Sequence, residues 1–239
     1  MSKKQLNQNS KYSQELIDTF EPDFSFNEKP INRMNIILKN DAQNSLNKAE
    51  KLINLKSKIN SIENCTFKIN SKNIILGNGN VNSPIMFVGE APGYEEDLSG
   101  LAYQGDVGEL LKKMLIAINI KIENVYLSYS INCLVSQDRK PSSKEIKRYS
   151  VFLKEHISII NPKVIVLMGS VAMESLVGIN KKISSERGNW KEIIVKGKTY
   201  PIMITFSPSY LLRFPENKKY SWEDLKKIRQ KIKDLNIKI

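Results

Sequence analysis

Over most of its length the chain alternates short unbroken apolar runs with longer mixed stretches. Ile85-Met86-Phe87-Val88, the segment opening at Val125-Tyr126, and Val164-Ile165-Val166-Leu167-Met168 are too short for core helices and too apolar for half-wet strands. They therefore predict buried strands. A β ribbon is expected over 67–76, closed by the turn residues Gly77-Asn78-Gly79-Asn80. The intervening stretches 109–118, 144–160, 171–176 and 222–235 read as helices. Strands alternating with helices predict an α/β fold with a mostly parallel sheet covered on both faces.

The N-terminus is patterned differently. Residues 1–40 are rich in Asn, Ser and Lys, carry Pro22 and Pro30, and suggest a flexible or loosely docked arm. From 41 onward Ala42, Leu46, Ala49, Leu52, Ile53 and Leu55 recur at roughly helical spacing, with Asp41 as the expected cap and start of a single domain, 41–239. Apolar runs approaching the roughly 18 residues of a membrane span are absent, and residues 1–8 lack the apolar stretch of a signal peptide. A cytoplasmic monomer is expected. The two cysteines, Cys65 and Cys133, lie far apart and make no disulfide framework.

A formal charge of +12 favours a polyanionic partner, nucleic acid first. The plainer account is a Lys-, Asn- and Ile-rich composition with no partner implied. Chemistry enters where the first apolar run breaks into Gly89-Glu90-Ala91-Pro92-Gly93: a carboxylate sits in a turn whose backbone can approach a ligand closely. Alone, such a loop suits many phosphate or nucleotide sites. Further on stand Glu95-Glu96-Asp97, Gly100, Tyr103, Gly105 and Gly108, then Asp138-Arg139-Lys140-Pro141 and Arg187-Gly188-Asn189-Trp190. The series closes with Thr205-Phe206-Ser207-Pro208-Ser209-Tyr210-Leu211-Leu212-Arg213, Lys218, Trp222 and Asp224.

In order, spacing and residue type this series, over 61–228, resembles the family 4 uracil-DNA glycosylases. The resemblance implies a three-layer α/β/α sandwich. It also implies DNA repair chemistry on single- or double-stranded DNA: hydrolysis of the N-glycosidic bond of uracil or another deaminated base. On that basis Glu90 or Glu96 orients or activates water, and the amides of Gly89, Ala91 and Gly93 help hold the base. Tyr103 stands where the family has a stacking Phe, and stacking is worth about 1–3 kcal/mol per base. Tyr210, Leu211, Leu212 and Arg213 correspond to a DNA-probing loop, with Leu as wedge and Arg on phosphate. Lys140, Lys218 and Lys219 are further candidate phosphate contacts. Each has an ordinary alternative: Glu95, Glu96 and Asp97 capping a helix, Tyr103 a buried structural ring, the two leucines packed in the core.

Three departures qualify the resemblance. The family's uracil-reading Asn corresponds to Tyr129, which removes the reader and places a ring where the pocket would be. Asn132 lies three residues on, which along a strand is the opposite face. A site built around such a hydrogen bond rejects the wrong base by about 10⁴ to 10⁵. The family's closing His corresponds to Ser207, a shorter donor that carries no positive charge. His156 is expected to be a surface or packing residue rather than a displaced catalyst. The family's [4Fe–4S] ligands correspond to Ile62, Cys65, Cys133 and Tyr149; two thiolates cannot complete a four-Cys cage, so no cofactor is expected. Cys65 and Cys133 would then pack as small apolar neighbours. Two functions stay open: a glycosylase of reduced activity, and a non-catalytic DNA-binding module built on the same fold.

Overall fold

A computed structural model describes residues 33–63, 65, 67, 71–135, 139–178 and 182–238, with side chains from 45 onward. Helix α1 spans Arg33–Asn60. It runs straight through position 41, so Asp41 caps nothing. The polar residues around it lower helix propensity by only about 0.7 kcal/mol each, and no Gly or Pro interrupts the stretch after Pro30. Residues 1–32 of the expected arm lie outside the described residues.

Among the described residues one six-stranded sheet forms, in the order β1-β3-β2-β4-β6-β5. Its strands are β1 Gly77–Gly79, β2 Ile85–Gly89, β3 Tyr126–Tyr129, β4 Val164–Met168, β5 Trp190–Val195 and β6 Lys198–Thr205. The middle strands β3, β2, β4 and β6 pair parallel, and β1 and β5 join antiparallel at the edges. The sheet is mostly parallel, as the alternation of elements requires. One expected element moves: 71–76 is irregular and the edge strand forms on Gly77-Asn78-Gly79, where a turn was expected.

The helices are α2 Tyr94–Ser99, α3 Gly105–Ala117, α4 Ser143–Ile160, α5 Ser170–Val177, α6 Ile183–Glu186, α7 Pro208–Arg213 and α8 Lys218–Asp234. Strand alternation sorts their contacts. Phe87, Leu127, Val166 and Met203 face Leu111 and Leu115 of α3 and Leu225 and Ile228 of α8. Met86, Val88, Ile165 and Ile204 face Leu153 and Ile157 of α4 and Ala172 of α5. Ile85 to Val88 are essentially inaccessible, each side chain contributing about 1.5–3 kcal/mol by burial. A third cluster joins Leu55 and Ile59 of α1 to Cys65, Cys133, Ile146 and Tyr149.

His156 is a packing residue. It is 1% exposed and hydrogen-bonded through Nε2 to the Tyr126 hydroxyl at 2.9 Å and through Nδ1 to Ser128 Oγ at 3.2 Å. Burial pushes its imidazole down to about 3.

Candidate active site

The chain leaves β2 for β3 on one side, then crosses back over β2 to reach β4 on the other. The helices that follow β2 and β4 accordingly pack on opposite faces, α3 on one and α5 on the other. Such a reversal opens a crevice at the carboxyl ends of the two strands, the usual ligand position in open α/β sheets. Glu90 occupies it. Its Oε1 accepts hydrogen bonds from Val171 N at 3.0 Å and Ser170 Oγ at 3.2 Å, at the start of α5. Its Oε2 accepts from Ser207 Oγ at 3.3 Å. The preceding Gly169 is required: its φ is +103° and a Cβ there would sit 2.4 Å from the Glu90 carboxyl carbon.

Ser207 caps α7. Its Oγ accepts from Tyr210 N at 3.3 Å and lies 3.1 Å from Ser209 Oγ. A cavity of about 690 Å³ opens here, walled by the 89–93 turn, Ser207 and Arg213. The turn after Val88 and the segment ending at Arg213 therefore converge on one cavity. Ala91 lines it, and its amide donates to no acceptor among the described residues. The Gly93 amide, expected to hold a base, instead donates to Glu96 Oε2 at 2.9 Å.

Glu96 lines the same cavity and is tied into its turn. It is 5% exposed, ties back to Gly93, and its Oε1 accepts from Gln104 N at 3.2 Å and the Tyr129 hydroxyl at 3.4 Å. Every recorded bond of this side chain holds the loop or the tyrosine. Its neighbour Asp97 does similar work, accepting from the amides of Lys72 and Asn73, each at 3.0 Å.

Tyr129 fills the inner end of the cavity. In-register pairing places it beside Gly89, and its ring stacks on Tyr103 at 4.8 Å with 19° between planes. Its hydroxyl accepts from Tyr103 N at 2.9 Å, while the Tyr103 hydroxyl donates to the Ser128 carbonyl at 3.2 Å. Gly89 makes this possible, because a Cβ there would lie 2.3 Å from the Tyr103 oxygen. Burial, with the Glu96 charge behind it, pushes the Tyr129 phenol upward, and burial does the same to Tyr103. Of the two readings of Tyr103, stacking ring or buried structural ring, its surroundings suit the second: it is 6% exposed and Tyr129 covers one of its faces. Asn132 is no substitute reader. It lies beyond the end of β3, and its Nδ2 donates to the Ile75 carbonyl at 3.0 Å.

Residues 76–229 match the model of the uracil DNA glycosylase superfamily. The chain belongs to the uracil-DNA glycosylase superfamily. It is 37% identical over 172 residues to a type-4 uracil-DNA glycosylase of Thermotoga maritima, covering 71% of this chain and 88% of that protein. Identity is 31% over 183 residues to the type-4 enzyme of Archaeoglobus fulgidus, with 75% and 92% covered. To that of Sulfurisphaera tokodaii it is 33% over 189 residues, with 76% and 84% covered.

Within this glycosylase fold the residues at the family's cluster positions do not fit an iron–sulfur group. Cys65 is 8% exposed and Cys133 inaccessible, and between them stands Tyr149, its hydroxyl 3.3 Å from Cys65 Sγ and 3.5 Å from Cys133 Sγ. Ile62 packs against the same cluster. Two thiols, a phenol and an alkyl chain cannot supply four thiolates. The volume is filled with ring and alkyl chain instead.

The segment expected to meet DNA divides. Leu211 is 1% exposed and belongs to the core, so it cannot act as a wedge; α7 turns it inward, one position from Leu212. Leu212, Arg213 and Lys218 are exposed, and Tyr210 is half-buried, stacked on Phe206 at 4.9 Å and beside Phe214 at 4.8 Å. Sequence reasoning missed Ser170 and Val171 as holders of Glu90. Val171 opens a stretch that reads as an ordinary helix and Ser170 falls between the expected elements; only the β2–β4 reversal brings them to the carboxylate.

Proposed function

We propose that this protein hydrolyses the N-glycosidic bond of a deaminated base in DNA, uracil included, with slower turnover and weaker base discrimination than the glycosylase fold allows. The Glu90–Ser207 pair carries this reading: a carboxylate and a hydroxyl 3.3 Å apart, at the topological switch point, walling a cavity large enough for a nucleobase. The names of the relatives support it. An everted nucleotide sets C1′ over Glu90, which takes a proton from water as the water oxygen bonds to C1′. The C1′–N bond breaks, its electron pair leaves with the base, and the proton follows to the base. Charge gathering on the base oxygen meets the Ala91 amide and the Ser207 hydroxyl, whose single proton turns from Glu90 to the base once the carboxyl has taken a proton from water. Leu212, Arg213, Lys140 and Lys218 hold the flanking backbone.

Reduced turnover follows from two features. Losing one preorganised donor costs about 2.7–4 kcal/mol, and a neutral serine hydroxyl recovers only part of what a charged donor supplies. Tyr129 meanwhile spends its hydroxyl on Tyr103 and Glu96 and offers no edge for reading a base. The same ring favours a second reading, a DNA-binding module without excision, because it lies where a base would stack on Tyr103.

Incubation with single- and double-stranded oligonucleotides bearing uracil, hypoxanthine or xanthine separates the two. Alkali-labile abasic sites that disappear in Glu90→Gln support the enzyme. Salt-sensitive DNA binding without abasic sites supports the module and overturns the enzyme.

A further inference from the structure

A second cavity, of about 700 Å³, opens behind Ser207, sharing Glu90, Ser170, Ser207, Lys140 and Arg213 with the first. Its far wall is built around Arg187. The Arg187 guanidinium is pinned: Nε donates to Asp224 Oδ2 at 3.0 Å, and Nη2 donates to Asp224 Oδ1 and the Tyr220 carbonyl. Asp224 is inaccessible and also accepts from Thr205 Oγ1 at 2.8 Å, so the guanidinium is anchored from beneath. Aromatic rings flank it, with Phe206 5.6 Å and Tyr220 5.4 Å from the guanidinium carbon. Its Nη1, which carries two more protons, has no hydrogen-bond partner among the described residues.

Among the described lining residues Glu90 is the only carboxylate, against Lys140, Arg187 and Arg213. A rigid donor edge between aromatic walls, beneath cations, suits a flat acceptor-bearing ring attached to a phosphate. We propose that this cavity is a second nucleobase site, which receives the unpaired base of a nucleotide neighbouring the one held at Glu90. The inference rests on the DNA-binding part of the proposed function and not on excision. The first cavity has one face of Tyr103 taken by Tyr129, whereas this one has an open aromatic wall: Tyr220 is 44% exposed. A strand crossing the Ser207 ridge thus has a place for a base on either side.

The test is a base-deletion scan. Single-stranded oligonucleotides carrying one non-cleavable 2′-fluoro uridine, and an abasic spacer at each other position in turn, are titrated against wild type and Tyr220→Ala by fluorescence anisotropy. Tyr220→Ala keeps the backbone carbonyl that Arg187 grips, and circular dichroism checks that it folds. One position beside the uridine should weaken wild-type binding about tenfold when its base is removed, within the range of base–aromatic stacking. That penalty should vanish in Tyr220→Ala. In parallel, 5-iodouracil at the same position should photocrosslink to Tyr220 or Tyr210. The proposal is overturned if no neighbouring position carries a penalty, if the penalty survives in the variant, or if crosslinks fall only on the 89–93 turn. Loss of excision with the positional penalty intact sinks the enzyme reading alone.

Discussion

Two tyrosines stand where the family resemblance places other chemistry, and both become buried hubs. Tyr149 stands at the position the resemblance gives to a metal ligand and touches two thiols; Tyr129 stands at the one it gives to a base-reading amide and touches an amide and a carboxylate. In the core the exchange is conservative, because packing asks only that volume be filled at interior density. At the cavity the same exchange sets a ring whose hydroxyl is already bonded to Tyr103 and Glu96.

The largest effect should come from emptying the core position. Tyr149→Ala leaves a void among Cys65, Cys133, Phe67 and Ile146 and should cost about 3–5 kcal/mol, read as a lower urea midpoint with an unchanged slope. A change below about 1 kcal/mol would mean that this cluster collapses freely and that Tyr149 is not its keystone.

The cavity position should respond in activity rather than stability. Tyr129→Asn with Ser207→His restores a reader and a chargeable donor, and excision of uracil should rise about 10²- to 10³-fold. Ser207→His alone should do less, because Tyr129 still covers Tyr103. Equal gains from the single and double variants would show that Tyr129 does not obstruct the base.

A third buried hub gives a pH signature. His156 is held neutral, its pKa pushed down to about 3, so between its unfolded value near 6.5 and about 3 the unfolded chain binds more protons than the folded one. Its contribution is fully present above pH about 6.5 and is lost as pH falls toward about 3, on the order of a few kcal/mol. Urea midpoints measured down that range should fall, and His156→Gln should flatten the decline while lowering stability at neutral pH.

Much of this was legible in the chain, and the reasons differ by residue. Ile85–Gly89 and Val164–Met168 read as buried strands because continuous apolar runs have few other homes, and both are central parallel strands. Gly89 and Glu90 were legible as a site because the glycine turn around the carboxylate is the first of a series of motifs that together carry the family resemblance. What pattern could not reveal was partnership. Glu96 and Glu90 look alike in the sequence; only the fold commits one to Gly93 and Gln104 and aims the other at Ser207. Likewise Leu211 and Leu212 differ only in which way a six-residue helix turns them.

The smallest effect discriminates best between the two tyrosines. Removing only the hydroxyl keeps each ring and isolates what its oxygen holds. In Tyr149→Phe the lost partners are two thiols, weak donors and acceptors, and the cost should be about 0.5–1 kcal/mol. In Tyr129→Phe the Tyr103 amide is left buried without its acceptor and Glu96 Oε1 loses a donor, so the cost should reach about 1–3 kcal/mol. Tyr129→Phe should nevertheless leave excision where it was, because the ring, not the oxygen, takes the place of the base. If urea midpoints show the reverse order, the oxygen at 149 is the structural one and the contrast between the two sites inverts.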